Sequence, residues 1–588
     1  MKNLLKKIPV IILALTLSLS TFVGCNKPRE VDQTLEVFIK NDGYGIDGVK
    51  ATLNAFAEQD WVKEKYPNLV IPTPVDEKIA NYGINKISAP KKNNFDLVFE
   101  TADFYQFFGK NTKGESTLVD LTEKVYNTNV PNENVKVKDK MSAVNYEYST
   151  YINNDGGKEY YDMGWCVGYS GIVYNPEIVS RYVQEEPRTT DELLTLVYKI
   201  KHGETIEAKP AGVTDAQWIA QNAGNSAGYS FVPCGTAVYE DVVFPSWWVQ
   251  YDGLETYNNF WQGLYDDGSG DLQYDSRIYD AKGRLYAMEV EYEILNYQNK
   301  YYDLSKSVED YIIAQRRLLY GEYAMTFCAD WFDSEMKPTR EAMIAEGVTP
   351  KELYVLRNPI ISNIVDKLGK YNNNQKMTDE QLSFIIKLID ENLDYNTVKG
   401  QFATTFPTAG ELRAKDFDKL VEARSIYPAS AINHTVCIPS VSNSIDVAVD
   451  YLRFLATDVA QLACMVATEG QNTPYFFDPT STETLYGTNK TVAQAYEDAF
   501  VNFSPMQKAR HKIYFNKVYE PKSLQSTVRN KLAKSGLKSI IISGSLGKEF
   551  RNETSRTPQE LFDDTKNQMT PSAFQFLLYE AGLVNSYQ

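Results

Sequence analysis

Asp330-Trp331-Phe332 sets a carboxylate directly beside two aromatic rings. Sugar rings present C–H faces that stack on Trp and Tyr, and their hydroxyls need carboxylate or amide partners, so an acid next to an aromatic can hold a saccharide. Such rings also fill cores, and both readings stand for Asp330, Trp331 and for the pair Trp247-Trp248. Further candidates are Tyr44 in a glycine-rich loop, Glu100 and Asp103 behind an apolar run, and Trp165 within Gly164-Trp165-Cys166-Val167-Gly168. With 41 Tyr, 27 Phe and 7 Trp in 588 residues, aromatic groups are the main compositional signal for function.

Bond-making chemistry finds less support. No HExxH motif occurs and no nucleophile elbow is read in the chain, so the protein is not expected to be an enzyme. Gly43-x-Gly45-x-x-Gly48 has dinucleotide-loop spacing, but Asp47 would oppose a pyrophosphate. A tight turn, or a turn that also lines a sugar site, fits it better. Gly544-Ser545-Leu546-Gly547-Lys548 is two residues short of a phosphate loop. Asp266–Asp275 is acidic and glycine-rich, yet Arg277 and Ile278 stand where a calcium loop needs its closing Glu. His434-x-x-Cys437 lacks further ligands at zinc spacing. No metal and no cofactor is expected. Beyond Cys25 the five cysteines Cys166, Cys234, Cys328, Cys437 and Cys464 are odd in number and widely spaced; they leave room for one bridge but argue against a disulfide framework. The formal charge of −17 argues against nucleic acid as a partner and suits a neutral or cationic ligand.

The elements that must position these residues alternate between strand and helix. Leu35–Ile39 reads as a strand, followed by the glycine loop and a helix with Val49, Leu53, Phe56 and Ala57 on one face. Leu69–Ile71 and Phe95–Phe99 read as further strands, which makes an α/β lobe with a parallel sheet. Tyr44, Glu100 and Asp103 then fall at the carboxyl ends of strands, where ligands gather in open α/β sheets. Gly164–Glu177 reads as a strand leaving one lobe for another, so Trp165 should face the cleft. Thr189-x-x-Glu192 is a capping box opening a helix with Leu193, Leu196, Val197 and Ile200. A long helical stretch, about 284–319, precedes the strand that ends at Asp330-Trp331. Residues 338–425 are helical in pattern, His434–Pro439 is a strand, and Thr557-Pro558-Gln559-Glu560 starts a tail helix.

The N-terminus carries Lys2, Lys6 and Lys7 before an apolar run from Ile8 to Val23. Phe22-Val23-Gly24-Cys25 resembles a bacterial lipobox, which implies a signal peptide over 1–25 with lipidation at Cys25, then a tether over 26–32. Beyond the leader, no run is long enough to span a bilayer.

Several stretches, in order, resemble one family: the extracellular solute-binding proteins of carbohydrate ABC importers, of the maltose-binding-protein type. Phe38–Glu58 resembles the family's first strand, glycine loop and helix. Phe95–Asp103 resembles its second ligand loop, with Asp103 on the acidic position. Gly168–Val179 resembles its crossing strand, and Pro187–Leu194 a helix start in which Thr190 or Asp191 replaces the usual Trp. Gly321–Phe332 resembles the strand ending in a sugar-stacking Trp, which falls on Trp331. His434–Gln461 with Gly470–Tyr475 resembles the returning crossing and the lobe switch.

The resemblance implies a periplasmic-binding-protein type II-like clamshell, with three hinge crossings and a helical insertion in the second lobe. The first lobe would comprise 33–172 plus 436–472, and the second 173–435 plus 473–588. Crossings would lie near Tyr169–Tyr174, His434–Ile438 and Asn472–Tyr475. A carbohydrate, an oligosaccharide by preference, would bind Tyr44, Glu100, Asp103 and Trp165 and be closed over by Asp330, Trp331 and the Trp247–Trp248 region. A monomer, anchored by lipid at the outer face of a bacterial cell membrane, would deliver it to the importer's permease subunits. The alternatives are a surface glycan- or peptide-binding lipoprotein not coupled to transport, and an exported glycoside hydrolase.

Overall fold

A computed structural model describes residues 33–586, apart from 112, 154, 235–238, 240–241, 307–309, 372–373, 431–432, 472, 486–487, 515–521 and 526–545. The leader, Cys25 and the tether lie outside the described residues. Among the described residues, no helix is long and apolar enough to cross a membrane.

The chain opens with β1 (Val37–Lys40), α1 (Asp47–Glu58), β2 (Val75–Glu77), α2 (Tyr82–Ser88), β3 (Leu97–Glu100) and the two-residue β4 (Met163–Gly164). β1 and β3 are buried along their whole length, as expected of parallel strands covered on both faces. Leu69–Ile71 does not form the predicted strand; Val70 makes one isolated bridge to Thr34, and the neighbour of β1 is β2 instead.

The second lobe holds β5 (Gly168–Tyr174), α3 (Thr190–His202), α4 (Phe244–Asp252), α5 (Lys282–Leu295), β6 (Met325–Ala329), α6 (Phe332–Ala345), β7 (Tyr354–Leu356) and β8 (Ile426–Ser430). The Thr189–Glu192 capping box is formed at the start of α3. The stretch predicted as one long helix divides into α5 and the helix Tyr311–Leu319. The chain returns through β9 (Thr435–Cys437), α7 (Ile445–Phe454), α8 (Asp458–Ala467) and α9 (Val492–Phe500), then leaves again through α10 (Pro505–Tyr514) and β10 (Lys522–Gln525).

Two sheets result. The first runs β2-β1-β3-β9-β4, parallel among its first three strands and antiparallel at β9. The second runs β6-β5-β8-β10, with β7 also paired to β5. Each has its own core: Val37, Leu53, Phe56, Phe99 and Tyr451 in the first lobe, and Ile172, Leu196, Trp248, Phe327 and Ile386 in the second. The helices Asp379–Asp390, Tyr395–Thr405 and Ala414–Ser425 join that second core through Leu382, Phe402 and Leu420. The fold is α/β in two lobes.

The crossings sit where the sheets hand the chain over. Ile172 pairs with Phe327 deep in the second sheet, so the first crossing is Trp165–Val167 and not the expected Tyr169–Tyr174. The second lies between Ser430 and Thr435. The third was expected near Asn472–Tyr475; Asn472 is outside the described residues. Tyr475, Phe477, Val492 and Phe503 are all buried in the first core, while Met506 is buried in the second lobe. The lobe change therefore falls between Phe503 and Met506. A helix with apolar spacing such as α9 fits either lobe by pattern alone, and packing against α8 decides it.

Candidate ligand site between the lobes

The glycine motif is a device for placing Tyr44. Gly43 and Gly45 adopt φ of +32° and +70°, and Gly45 closes the turn with a 2.8 Å bond from its amide to the Asp42 carbonyl. Gly48 lets α1 approach α8: a Cβ there would lie 2.8 Å from Cys464 Sγ. The turn carries the Tyr44 ring across to the second lobe, where its hydroxyl donates to Asp330 Oδ1 at 2.5 Å.

Asp330 stands at the carboxyl end of β6, just before α6. It is almost fully buried. Oδ1 also accepts from the Tyr169 amide at 3.1 Å, and the other oxygen pairs with the Arg510 guanidinium from α10. Arg510 lies over the Tyr169 ring at 5.3 Å. Trp331 is half-buried and meets Tyr44 edge-on at 5.9 Å and Tyr239 at 5.9 Å. Tyr44 in turn packs edge-on against His434, which lies 5.5 Å from Trp165. Tyr44, Asp330, Trp331 and Trp165 thus belong to one aromatic–carboxylate array spanning the junction. Its next layer includes Glu335, whose amide nitrogen donates to the Trp331 carbonyl. Burial pushes the Glu335 carboxyl up to about 7, with Asp42 and Asp310 adding to the rise.

The other candidates lie elsewhere. Glu100 is fully buried and turns back into its own lobe, accepting from the Gly83 amide at 2.7 Å near the start of α2; burial raises its pKa. Asp103 is exposed and closes a local turn with the Tyr105 amide. Trp247 and Trp248 are core residues of the second lobe, their indole N–H groups donating to the Pro359 carbonyl and to Asp252. The cleft position expected for this pair is not where α4 puts it. Cys166 is buried, with its thiol pushed far up by burial, and accepts from the Gln471 amide. All five cysteines beyond Cys25 are free thiols.

Three residues escaped sequence reasoning. Arg510 and His511 sit in a tail helix with no motif around them, and Tyr239 lies in a stretch without periodicity. His511 is buried at the third crossing, its ring bonded to the Gly470 carbonyl at 2.6 Å and to Tyr496 at 3.0 Å. Burial, with Arg510 next to it, depresses its pKa to about 3. Contrary to the sequence reading, Gly224-Asn225-Ser226-Ala227-Gly228 does have elbow spacing. It follows a helix instead of a strand, with Gly224 at the C-cap and the Asn225 side chain tied to the Glu322 and Tyr229 carbonyls, so it builds a turn.

Among the described residues no group of three His, Cys, Asp or Glu is arranged to hold a metal ion. The acidic hairpin after Leu264 ties Asp275 to Arg277.

No family model and no curated protein matches this sequence. Solved structures align over nearly the whole chain at low identity. One is a chitin oligosaccharide binding protein, 10% identical, covering 92% of this chain and 98% of its own, with a TM-score of 0.49. Another is the GacH receptor of Streptomyces glaucescens, 13% identical over 94% and 99%, TM-score 0.45. A third is the Thermus thermophilus maltotriose binding protein, 12% identical over 91% and 98%, TM-score 0.41. The two-lobe architecture stated above rests on this chain's own sheets and crossings.

Proposed function

We propose that this chain captures a carbohydrate between its lobes and delivers it to an ABC importer, held at the outer face of the membrane through lipid on Cys25. The observation that carries the reading is the Tyr44–Asp330 hydrogen bond beside Trp331. A carboxylate, a tyrosyl hydroxyl and an indole from two lobes converge where the chain crosses between them. An opened junction frees Asp330 Oδ1 for a sugar hydroxyl and the Trp331 face for a sugar ring. Closure is then a population shift toward the form with more ligand contacts. The residues named make and break no bond in the ligand. The importer and the lipid anchor follow from the sequence resemblance, carried by the stretches from Phe22–Cys25 to Gly470–Tyr475.

The test is a thermal-shift screen of the chain from Cys25 onward against mono- and oligosaccharides. Free ligand at about 100 times Kd adds roughly 2.7 kcal/mol of stability. A broad panel that leaves Tm unmoved sinks the reading.

A further inference from the structure

Trp331 is the N-cap of α6 and Glu335 lies one turn further on, its amide bonded to the Trp331 carbonyl, so the two side chains leave the same side of the helix. Trp331 is flanked by Tyr44 and Tyr239, and Tyr239 lies 6.4 Å from Tyr311. The wall is aromatic; the groups beside it are acidic. Glu335 lies within electrostatic reach of Asp310, the N-cap of the helix Tyr311–Leu319, and of Asp42 in the Tyr44 turn. Tyr311 feels the same three carboxylates.

Three cations of the described residues nearby have partners elsewhere: Lys337 pairs with Glu469, Arg340 with Asp333, and Arg510 with Asp330. Asp42 belongs to the first lobe, Asp310 and Glu335 to the second. Bringing the lobes together therefore brings like charges together, a cost that a positive ligand relieves. A second observation points the same way. Gln315, with no exposed surface, donates its amide nitrogen to Glu335 at 2.8 Å, and its buried carbonyl oxygen has no donor among the described residues. Ring faces, carboxylates and a bare carbonyl all suit a cation rich in N–H donors.

We infer that the interlobe site takes a ligand carrying a protonated amine, a sugar with its amine free, held between Trp331, Glu335 and Asp42. The inference rests on the interlobe reading above and narrows it from saccharides at large to cationic ones. A neutral sugar leaves the three neighbouring carboxylates unrelieved, whereas a single ammonium offsets one of their charges and makes closure depend on ligand charge.

Isothermal titration of the chain from Cys25 onward with four probes tests this: the glucosamine disaccharide with free amines, the N-acetylglucosamine disaccharide, cellobiose, and tetramethylammonium chloride. The free-amine disaccharide should bind most tightly. Glu335→Gln and Asp42→Asn should each weaken it by roughly ten- to a hundredfold and barely change the neutral sugars. Asp42 is exposed, so Asp42→Asn keeps the test independent of folding. Equal affinity for the three disaccharides, or amine binding unchanged in both variants, overturns the inference and leaves the saccharide reading standing. Tetramethylammonium bound in an Asp42-dependent way while no disaccharide binds overturns the amino-sugar inference, and the wider saccharide screen decides the reading beneath it. Silence from all four probes overturns the inference, and the wider saccharide screen then decides the reading beneath it.

Discussion

Tyr44 and Asp330 are 286 positions apart in the chain and joined by a 2.5 Å hydrogen bond, one residue from each lobe. Neither works alone. The tyrosine is delivered by a glycine turn, and the aspartate is held by the Tyr169 amide and Arg510.

Tyr44→Phe removes one donor to Asp330 and leaves the other two. Stability should fall by about 1.5 kcal/mol, the lower end for a bond to a charged group. The lobes should also part more readily. Urea unfolding measures the first effect and small-angle scattering the second. An unchanged radius of gyration together with unchanged stability would mean that the bond does not hold the junction.

Trp331→Ala and Trp247→Ala should separate binding from folding. Trp331 is half-buried at the junction, and its loss should weaken saccharide binding by roughly tenfold, about 1.4 kcal/mol, with the fold intact. Trp247 is a fully buried core residue, and its loss should cost about 3–5 kcal/mol of stability. Titration and denaturation of both variants give the comparison; the reverse pattern would assign the site to the Trp247 region.

Arg510→Met should be severe, because it strands the buried Asp330 charge. Breaking one side of such a pair costs roughly 3–5 kcal/mol. Adding Asp330→Asn should restore part of that loss. A double-mutant cycle with no coupling would show that the two groups do not act as a pair.

His511 makes stability depend on pH. Its folded pKa is depressed to about 3, while the unfolded chain protonates near 6.5. The unfolded state therefore takes up the proton first. The contribution is fully present above pH 6.5 and falls on acidification, by about 1.4 kcal/mol per pH unit between there and pH 3. His511→Gln should flatten the profile over that window in urea titrations. A variant that follows the parent curve would show that the ring is not buried in its neutral form.

Local chemistry was legible in the sequence where it decides structure. The Thr189–Glu192 and Thr557–Glu560 capping boxes form, since both partners sit within one helical turn. The glycine loop, the acid–aromatic pair Asp330-Trp331 and a crossing within Gly164–Glu177 were visible as residue types, although the handover falls at Trp165–Val167 and not at Tyr169–Tyr174. What could not be read was which way a side chain turns. Glu100 sits at a strand end as expected, yet the Gly83 amide draws it inward. Trp247 and Trp248 carry the same ring chemistry as Trp331, and only the packing of α4 sends them into the core. Arg510 is 180 positions from the aspartate it pairs with, a distance no local pattern spans.

The first two crossings run side by side: Ser430 pairs with Gly168 at one end, Thr435 with Gly164 at the other, and the Trp165 amide donates to the His434 carbonyl between them at 3.1 Å. These three backbone pairings bracket the handover between the lobes. A handover paired at both ends bends more easily than it slides, because sliding would break the pairing at both ends. The two lobes should therefore open as a book opens more readily than they shear past each other, so a probe on one lobe should sweep an arc relative to the other and not a straight line.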